Sequence, residues 1–295
     1  MLEKLEDNQW RFSLSKKREN FLLDSIEKGR VLFLPHLAFD LSAAEEKFLT
    51  PLCQGPKSKN ISFNSQTLSL KGHAVKEDTL ALQEMMLRFA HHARTLIESL
   101  FPYYTDSLEW GKTSFRPLDV KERKASSYRK DDTRLHVDAF ASQPVQGRRL
   151  LRVFSNVNPQ AQPRVWRLGE PFEKVAQYFV PSLSHRSWIP PTLLQKLGVT
   201  KGYRTPYDFI MLKLHNAMKA DVHYQKNACA EEFSFPSGST WIVMTDKVSH
   251  AALSGQFLFE QTFYLPAFSM YAPEKSPLSI LETLLGKKLI DTKRH

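Results

Sequence analysis

Apolar positions along the chain follow two rhythms. Through residues 78–100, Leu82, Met86, Phe89, Ala93, Leu96 and Leu100 recur at steps of four and three, which predicts a helix with one buried face. Nearer the N-terminus, "SLSKKRENFLLDSIEKG" predicts a helix closed by Gly29, and "VLFLP" a short strand ended by Pro35. "SAAEEKFL" has the form of a capping box, with Ser42 as cap and Glu45 three residues on. From about residue 110 the rhythm shortens. "EWGKTSFRP", "RLHVDAF", "RRLLRVFSNVNPQ" and "RVWRLG" read as strands, the third stopping at an Asn-Pro turn. Helical patterns return in "EPFEKVAQYF", "WIPPTLLQKLG" and "TPYDFIMLKLHNAMKADVHYQK". After residue 231 the chain is again dense in strand signals, "EEFSFPSGSTWIVMT", "VSHAALS" and "QFLFEQTFYLP", punctuated by Gly238, Gly255 and Pro266. "SPLSILETLLGKK" closes it as an amphipathic helix.

Strands therefore lie before and after a helical insertion, with helices at both ends. They do not alternate with helices, and neither a G-x-G-x-x-G nor a G-x-x-x-x-G-K-[ST] loop is present, which argues against dinucleotide and P-loop folds. The expected fold class is α+β: a double-stranded β-helix, or jelly roll, with flanking and inserted helices. The expected organisation is a single domain over 1–295. Residues 1–104 form mainly helical support, 105–270 the jelly-roll core with its helical insertion at about 170–227, and 271–295 the closing helix.

Composition refines this picture in three respects. Aromatic residues reach 12%, with 20 Phe, which favours a sheet-rich core. The net charge of +10 points to an anionic partner: nucleic acid, an acidic membrane face or an acidic small molecule. No apolar run is long enough to cross a membrane, no signal peptide is visible, and Cys53 and Cys229 suggest no disulfide framework, so a cytoplasmic setting is expected.

The candidate chemistry lies in "TRLHVDAF". Residues two apart on a strand share a face, so His136 and Asp138 project side by side while Val137 faces the other way. An imidazole nitrogen and a carboxylate oxygen so placed could take adjacent positions on one metal. Two polar residues on the wet face of a half-exposed strand would look the same. The candidate third ligand is His250, in the β-dense C-terminal part and flanked by Val248, Ala251 and Ala252. Two histidines and one carboxylate on one face of an octahedron leave open positions, the arrangement of non-haem Fe(II) oxygenases. His36, His73, His185, His215, His223 and His295 sit in less suitable contexts, and the adjacent His91 and His92 diverge on their helix.

Several stretches in order, "TRLHVDAFASQP", "RRLLRVFSNVNP", "VWRLGEPFEKVAQYF" and "FPSGSTWIVMTDKVSHAALSGQFLFEQTFYLP", resemble the 3-deoxy-D-manno-oct-2-ulosonic acid (Kdo) hydroxylases. These are bacterial Fe(II)/2-oxoglutarate dioxygenases that act on lipopolysaccharide. The resemblance is strong over about 105–270 and looser before it. It implies a jelly-roll fold and Fe(II) held by His136, Asp138 and His250, with 2-oxoglutarate as cosubstrate. It also implies hydroxylation at C3 of a Kdo sugar of Kdo-lipid A, giving D-glycero-D-talo-oct-2-ulosonic acid, succinate and CO2.

The far carboxylate of 2-oxoglutarate requires a cation, best an Arg for paired hydrogen bonds. Many oxygenases of this fold supply it about ten residues after the distal His, but "AALSGQFLFEQTFYLP" contains no Arg or Lys. Arg152 is the expected replacement, on a strand whose alternation puts Arg152, Phe154, Asn156 and Asn158 on one face. Arg148 and Arg149 are expected to be solvated at its start. Trp166 and Gln261 are further candidates for the cosubstrate pocket, and Ser127, Tyr128 and Arg129 for the substrate. Around those three, Lys121, Arg123, Lys124, Lys130 and Arg134 form a basic segment suited to the sugar carboxylate or lipid A phosphates, or simply a solvated loop. The charge further suggests attachment to the anionic cytoplasmic face of the inner membrane.

Three other readings compete with this one. The same chemistry could serve another acidic or lipid substrate. A non-catalytic basic nucleic-acid-binding protein would explain the charge, but no finger, RRM or helix-turn-helix signature is present. A purely structural metal site usually closes with four Cys or His ligands, and only three candidate ligands are found.

Overall fold

The structure, a computed structural model, describes residues 1–290 other than 57, 124, 184–194 and 196. His185, His295, Lys124 and most of the helix expected from "WIPPTLLQKLG" lie outside the described residues.

Among the described residues, eleven strands form two sheets. They are β1 (Leu2–Lys4), β2 (Val31–Leu34), β3 (Ile61–Asn64), β4 (Ser69–Lys71), β5 (Glu109–Arg116), β6 (Arg149–Asn156), β7 (Arg164–Leu168), β8 (Glu231–Phe235), β9 (Ser239–Met244), β10 (His250–Ser254) and β11 (Leu258–Leu265). The large sheet runs β1-β2-β9-β6-β11-β5-β3-β4, and the small one β10-β7-β8. Only the β1–β2 pair is parallel; the other pairs are antiparallel.

The alternation of β6 and β11 separates the faces of the large sheet. Leu151, Val153, Phe263 and Leu265 point to the layer formed by α1 (Lys16–Glu27) and α2 (Thr79–Leu100). The α2 stripe foreseen from the sequence, including Leu82, Met86, Phe89 and Ala93, is fully buried. On the other face, Phe154, Trp241 and Leu258 pack against Trp166, Leu168, Phe235 and Ala252 of the small sheet. Stacked rings of Phe235, Trp241 and Phe154 fill the space between the sheets. Beside the small sheet lie α3 (Phe172–Phe179), α4 (Pro206–Ala220), α5 (Val222–Asn227) and α6 (Pro277–Leu285). Most of these helices share a core with Leu135, Val137 and Leu150. No helix among the described residues is long and apolar enough to cross a membrane.

Two sequence expectations change here. The N-terminal part supplies four strands, of which only β2 was foreseen. The segment "RLHVDAF" is extended but is not a strand. It pairs with β10 at one bridge, His136 to His250, and there the two residues exchange both backbone hydrogen bonds, at 3.0 and 2.9 Å. Beyond the bridge Asp138 N–H donates to Thr245 O, leaving the β10 register. "SAAEEKFL" keeps half of its expected box, Ser42 N–H donating to Glu45 at 2.8 Å, but yields only a 3-10 turn.

Candidate metal centre

Leu135 and Val137 are fully buried in the helix-side core, which turns His136 and Asp138 towards the space between the sheets. The side chain of Gln225 clamps the segment by accepting from Leu135 N–H and donating to Leu135 O, at 2.8 and 2.9 Å. The expected shared face of His136 and Asp138 is therefore present without a ladder. Their nearest polar atoms, Nε2 and Oδ1, lie 3.6 Å apart. The single bridge to β10 brings in His250, and one ligand atom from each of the three residues falls within 4.8 Å of the others.

Both imidazoles are oriented from behind. Nδ1 of His136 pairs with Arg134 O at 2.7 Å, and Nδ1 of His250 with Val248 O at 2.8 Å. A carbonyl accepts only from N–H, so each ring is fixed in the tautomer that presents a bare Nε2 to the centre. Burial pushes His136 down to about 3, and it also lowers His250, so both rings are neutral near pH 7. Burial would raise Asp138, but the Arg152 guanidinium and the two imidazoles overcome this and hold it ionised. Nη1 of Arg152 stands 2.9 Å from Asp138 Oδ2 as an ion pair without hydrogen-bond alignment, which leaves that oxygen unsatisfied. Two lone-pair nitrogens and an anionic oxygen, buried and converging, suit a divalent transition metal. His215 lies behind His136, with rings 5.0 Å apart, and its Nδ1 pairs with Val137 O at 2.8 Å, bracing the segment.

The three ligands line a cavity of about 130 Å³. Trp166 stacks on His250 with centroids 5.1 Å apart and an interplanar angle of 22°. Arg152 enters the cavity as expected, but beside a metal ligand, and its Nη1 is shared between Asp138 and Glu260. Asn156 and Asn158 do not extend that wall: Asn156 donates to Gln162 O and to Phe235 O of β8, and Asn158 accepts from the Gln160 and Gln162 N–H groups in the turn after β6. Gln261 does not join the cavity. It sits on the opposite face of β11, where it accepts from Thr113 Oγ1 at 2.6 Å. Its neighbour Glu260 lines the cavity in its place.

Ser127, Tyr128 and Arg129 are exposed at a 3-10 turn and do not line this cavity. Arg148 is half-buried on Glu109, whereas Arg149 is fully buried rather than solvated, held by Asp246 at 2.6 and 3.2 Å.

Sequence reasoning did not single out Arg116, Arg164 and Glu260. Arg116 grips Glu260 through Nε at 3.1 Å and Nη2 at 2.5 Å. Arg164 is buried, donates to Gly255 O at 2.9 Å, keeps an unsatisfied Nε and has no carboxylate partner among the described residues. Burial, with Arg123 and Arg116 nearby, pushes it down to about 9. Gly255 makes room for it: at φ +110° its position has no side chain, and a Cβ there would lie 2.8 Å from Arg164 Cδ. The available signal was alternation in "RVWRLG", which puts Arg164, Trp166 and Leu168 on one face.

The family model of 3-deoxy-D-manno-oct-2-ulosonic acid (Kdo) hydroxylase matches residues 9–288. A structure of the Kdo hydroxylase KdoO, a non-heme Fe(II) alpha-ketoglutarate dependent dioxygenase, in complex with alpha-ketoglutarate and Fe(III) is 46% identical, with TM-score 0.94 over 98% of this chain and 97% of that one. A cobalt(II) complex of KdoO gives 46% and 0.95, over 99% of this chain and 98% of that one. A complex with succinate and Fe(III) gives 45% and 0.94 over the same shares. No curated protein sequence matches the chain.

Proposed function

The chain belongs to the Kdo hydroxylase family, and from that premise we propose that it hydroxylates C3 of a Kdo sugar in Kdo-lipid A, consuming 2-oxoglutarate and dioxygen at Fe(II). The products are D-glycero-D-talo-oct-2-ulosonic acid, succinate and CO2. It is an Fe(II)/2-oxoglutarate-dependent dioxygenase. One observation carries the reading for this chain: His136, Asp138 and His250 converge within 4.8 Å, with both imidazole Nε2 atoms bared, at the base of an arginine-lined cavity.

Bound there, iron supplies the activation of dioxygen that the side chains lack. The protein's own part is to bind, orient and exclude water. His136, Asp138 and His250 would hold the metal, and Arg152 keeps Asp138 anionic and fixed. Trp166, stacked on His250, walls the cosubstrate. The far carboxylate of 2-oxoglutarate falls to Arg164. That residue stands two positions from Trp166 on the same face of β7, about 6.6 Å along the strand at ~3.3 Å per residue. Nε is unsatisfied in both arginines, and the absence of a carboxylate partner among the described residues favours Arg164 over Arg152, which already serves two carboxylates.

Facing antiparallel sheets with the ligands between them support the jelly-roll reading, and cores shared between sheets and helices support one oxygenase domain. The +10 charge supports peripheral binding to an anionic cytoplasmic membrane face. Retention on anionic vesicles at low salt and release at high salt tests that attachment. The functional test is succinate release after oxygen is admitted to anaerobic protein loaded with Fe(II) and 2-oxoglutarate. Stimulation by Kdo2-lipid A is expected; identical turnover with and without it would overturn the assignment.

A further inference from the structure

The metal cavity is small, about 130 Å³. A dicarboxylic cosubstrate bound at the metal would leave little of it for a sugar ring. A second cavity of about 360 Å³ adjoins it. Lys59 and Asp132 line both, so their ion pair, 2.8 Å between Nζ and Oδ1, stands at the partition. Beyond the partition lies Arg123. Its Nη2 donates to Leu118 O at 3.1 Å, but Nε and Nη1 are buried without hydrogen-bond partners. The nearest carboxylate to Nη1, Asp132, is 3.9 Å away. A half-used guanidinium in a cavity wall is suited to a carboxylate.

The charges point the same way. The metal cavity is lined by four cations, Lys59, Arg116, Arg152 and Arg164, against three carboxylates, Asp132, Asp138 and Glu260. Across these seven side chains the excess is one positive charge. A divalent metal raises it to three, and a dicarboxylate lowers it to one. The adjoining cavity is itself balanced, Lys59, Arg123 and Lys130 against Glu122, Asp131 and Asp132, so one further anion balances the two together.

We propose that the adjoining cavity is the acidic-sugar subsite, where Lys59 and Arg123 take the carboxylate of the Kdo ring and the Lys59–Asp132 pair is the partition that the sugar displaces. This rests on the function proposed above and adds where, and by which group, the substrate is recognised. Asp132 competes with the sugar for the same two cations. Lys59 is half-exposed, so its ammonium is free to turn from Asp132 to the sugar carboxylate.

The test is titration of anaerobic protein, loaded with Fe(II) and 2-oxoglutarate, with free Kdo and with Kdo methyl ester, followed by calorimetry. Wild type is expected to favour the free acid by about tenfold, ~1.4 kcal/mol. Lys59→Met and Arg123→Gln should erase that preference. Asp132→Asn, which removes the competing anion, should tighten Kdo binding, a gain that a merely structural role for Asp132 would not produce. Equal affinity for acid and ester, or looser binding by Asp132→Asn, overturns the proposal. Displacement of Kdo by equimolar inorganic phosphate also overturns it, by showing a general anion site. The charge-transfer absorption of the Fe(II)–2-oxoglutarate complex, read in the same samples, separates the two levels. Its absence sinks the functional reading itself, whereas its presence with equal acid and ester binding sinks only the subsite.

Discussion

Replacing Arg164 by Gln separates the cosubstrate clamp from the metal site. In the structure Arg164 gives one hydrogen bond to Gly255 O and no ion pair among the described residues. Its removal orphans no carboxylate, and the folding cost is about 1 kcal/mol, one ordinary hydrogen bond. Binding suffers more. A charge-assisted bond to the far carboxylate is worth about 1.5–3 kcal/mol, so 2-oxoglutarate affinity should fall roughly ten- to hundred-fold. Arg164→Lys keeps the charge but loses the fork, and should fall between. Arg152→Gln behaves differently, because it leaves Asp138 and Glu260 without their shared cation. Its main defect should be weakened Fe(II) retention. The assay is anaerobic titration of 2-oxoglutarate into Fe(II)-loaded protein, followed by the charge-transfer band, with metal content measured in parallel. Arg164→Gln with wild-type affinity would refute the clamp, and a loss confined to Arg152→Gln would restore that role to Arg152.

Other outcomes follow from the same geometry. His136→Ala or Asp138→Ala should lose Fe(II) binding and substrate-stimulated succinate release while circular dichroism stays native; full turnover by either would sink the triad. Gly255→Ala forces a side chain into a left-handed backbone and against Arg164, at about 1–2 kcal/mol in stability, and should also weaken 2-oxoglutarate binding. The Arg149–Asp246 pair is buried, so Asp246→Ala should cost about 3–5 kcal/mol by denaturant melts, and a tolerant melt would show the charge to be relieved elsewhere. Tyr104 donates to Glu27 at 2.6 Å in the core, and burial followed by the Glu27 charge raises its pKa. A pKa raised on folding stabilises fully below the unfolded value of 10 and is lost as pH rises beyond it. Alkaline unfolding should therefore begin above pH 10 and shift upward in Tyr104→Phe; an unmoved midpoint would remove Tyr104 from the cause.

Much of the site was legible because its chemistry is local in sequence. H-x-D needs only an extended backbone to share a face, and His250 opens a strand whose apolar flanks mark it. What was not legible depends on distant partners. Arg149 reads as a strand-end surface residue until Asp246, 97 positions away, is placed against it. Gln261 and Glu260 are neighbours in sequence, and only the sheet's arrangement decides which of them meets the cavity. β3 and β4 are too short and polar to announce themselves, yet they complete one edge of the large sheet.

The single bridge between His136 and His250 shows why a full strand would serve the site less well. A regular ladder continues pairing through residue 138 and keeps every side chain at the spacing of the pleat. Here pairing stops after one residue, and Asp138 N–H turns to Thr245, in the loop just before β10. The backbone is thereby free to bring the carboxylate to 3.6 Å from the His136 imidazole, between that ring and Arg152 of the large sheet. Arg152 thus anchors Asp138 from the opposite sheet, so the two sheets are joined through the metal ligand itself. Loosening that contact should disturb the metal before it disturbs the fold, which is why metal content, rather than melting temperature, is the measurement that reports on Arg152.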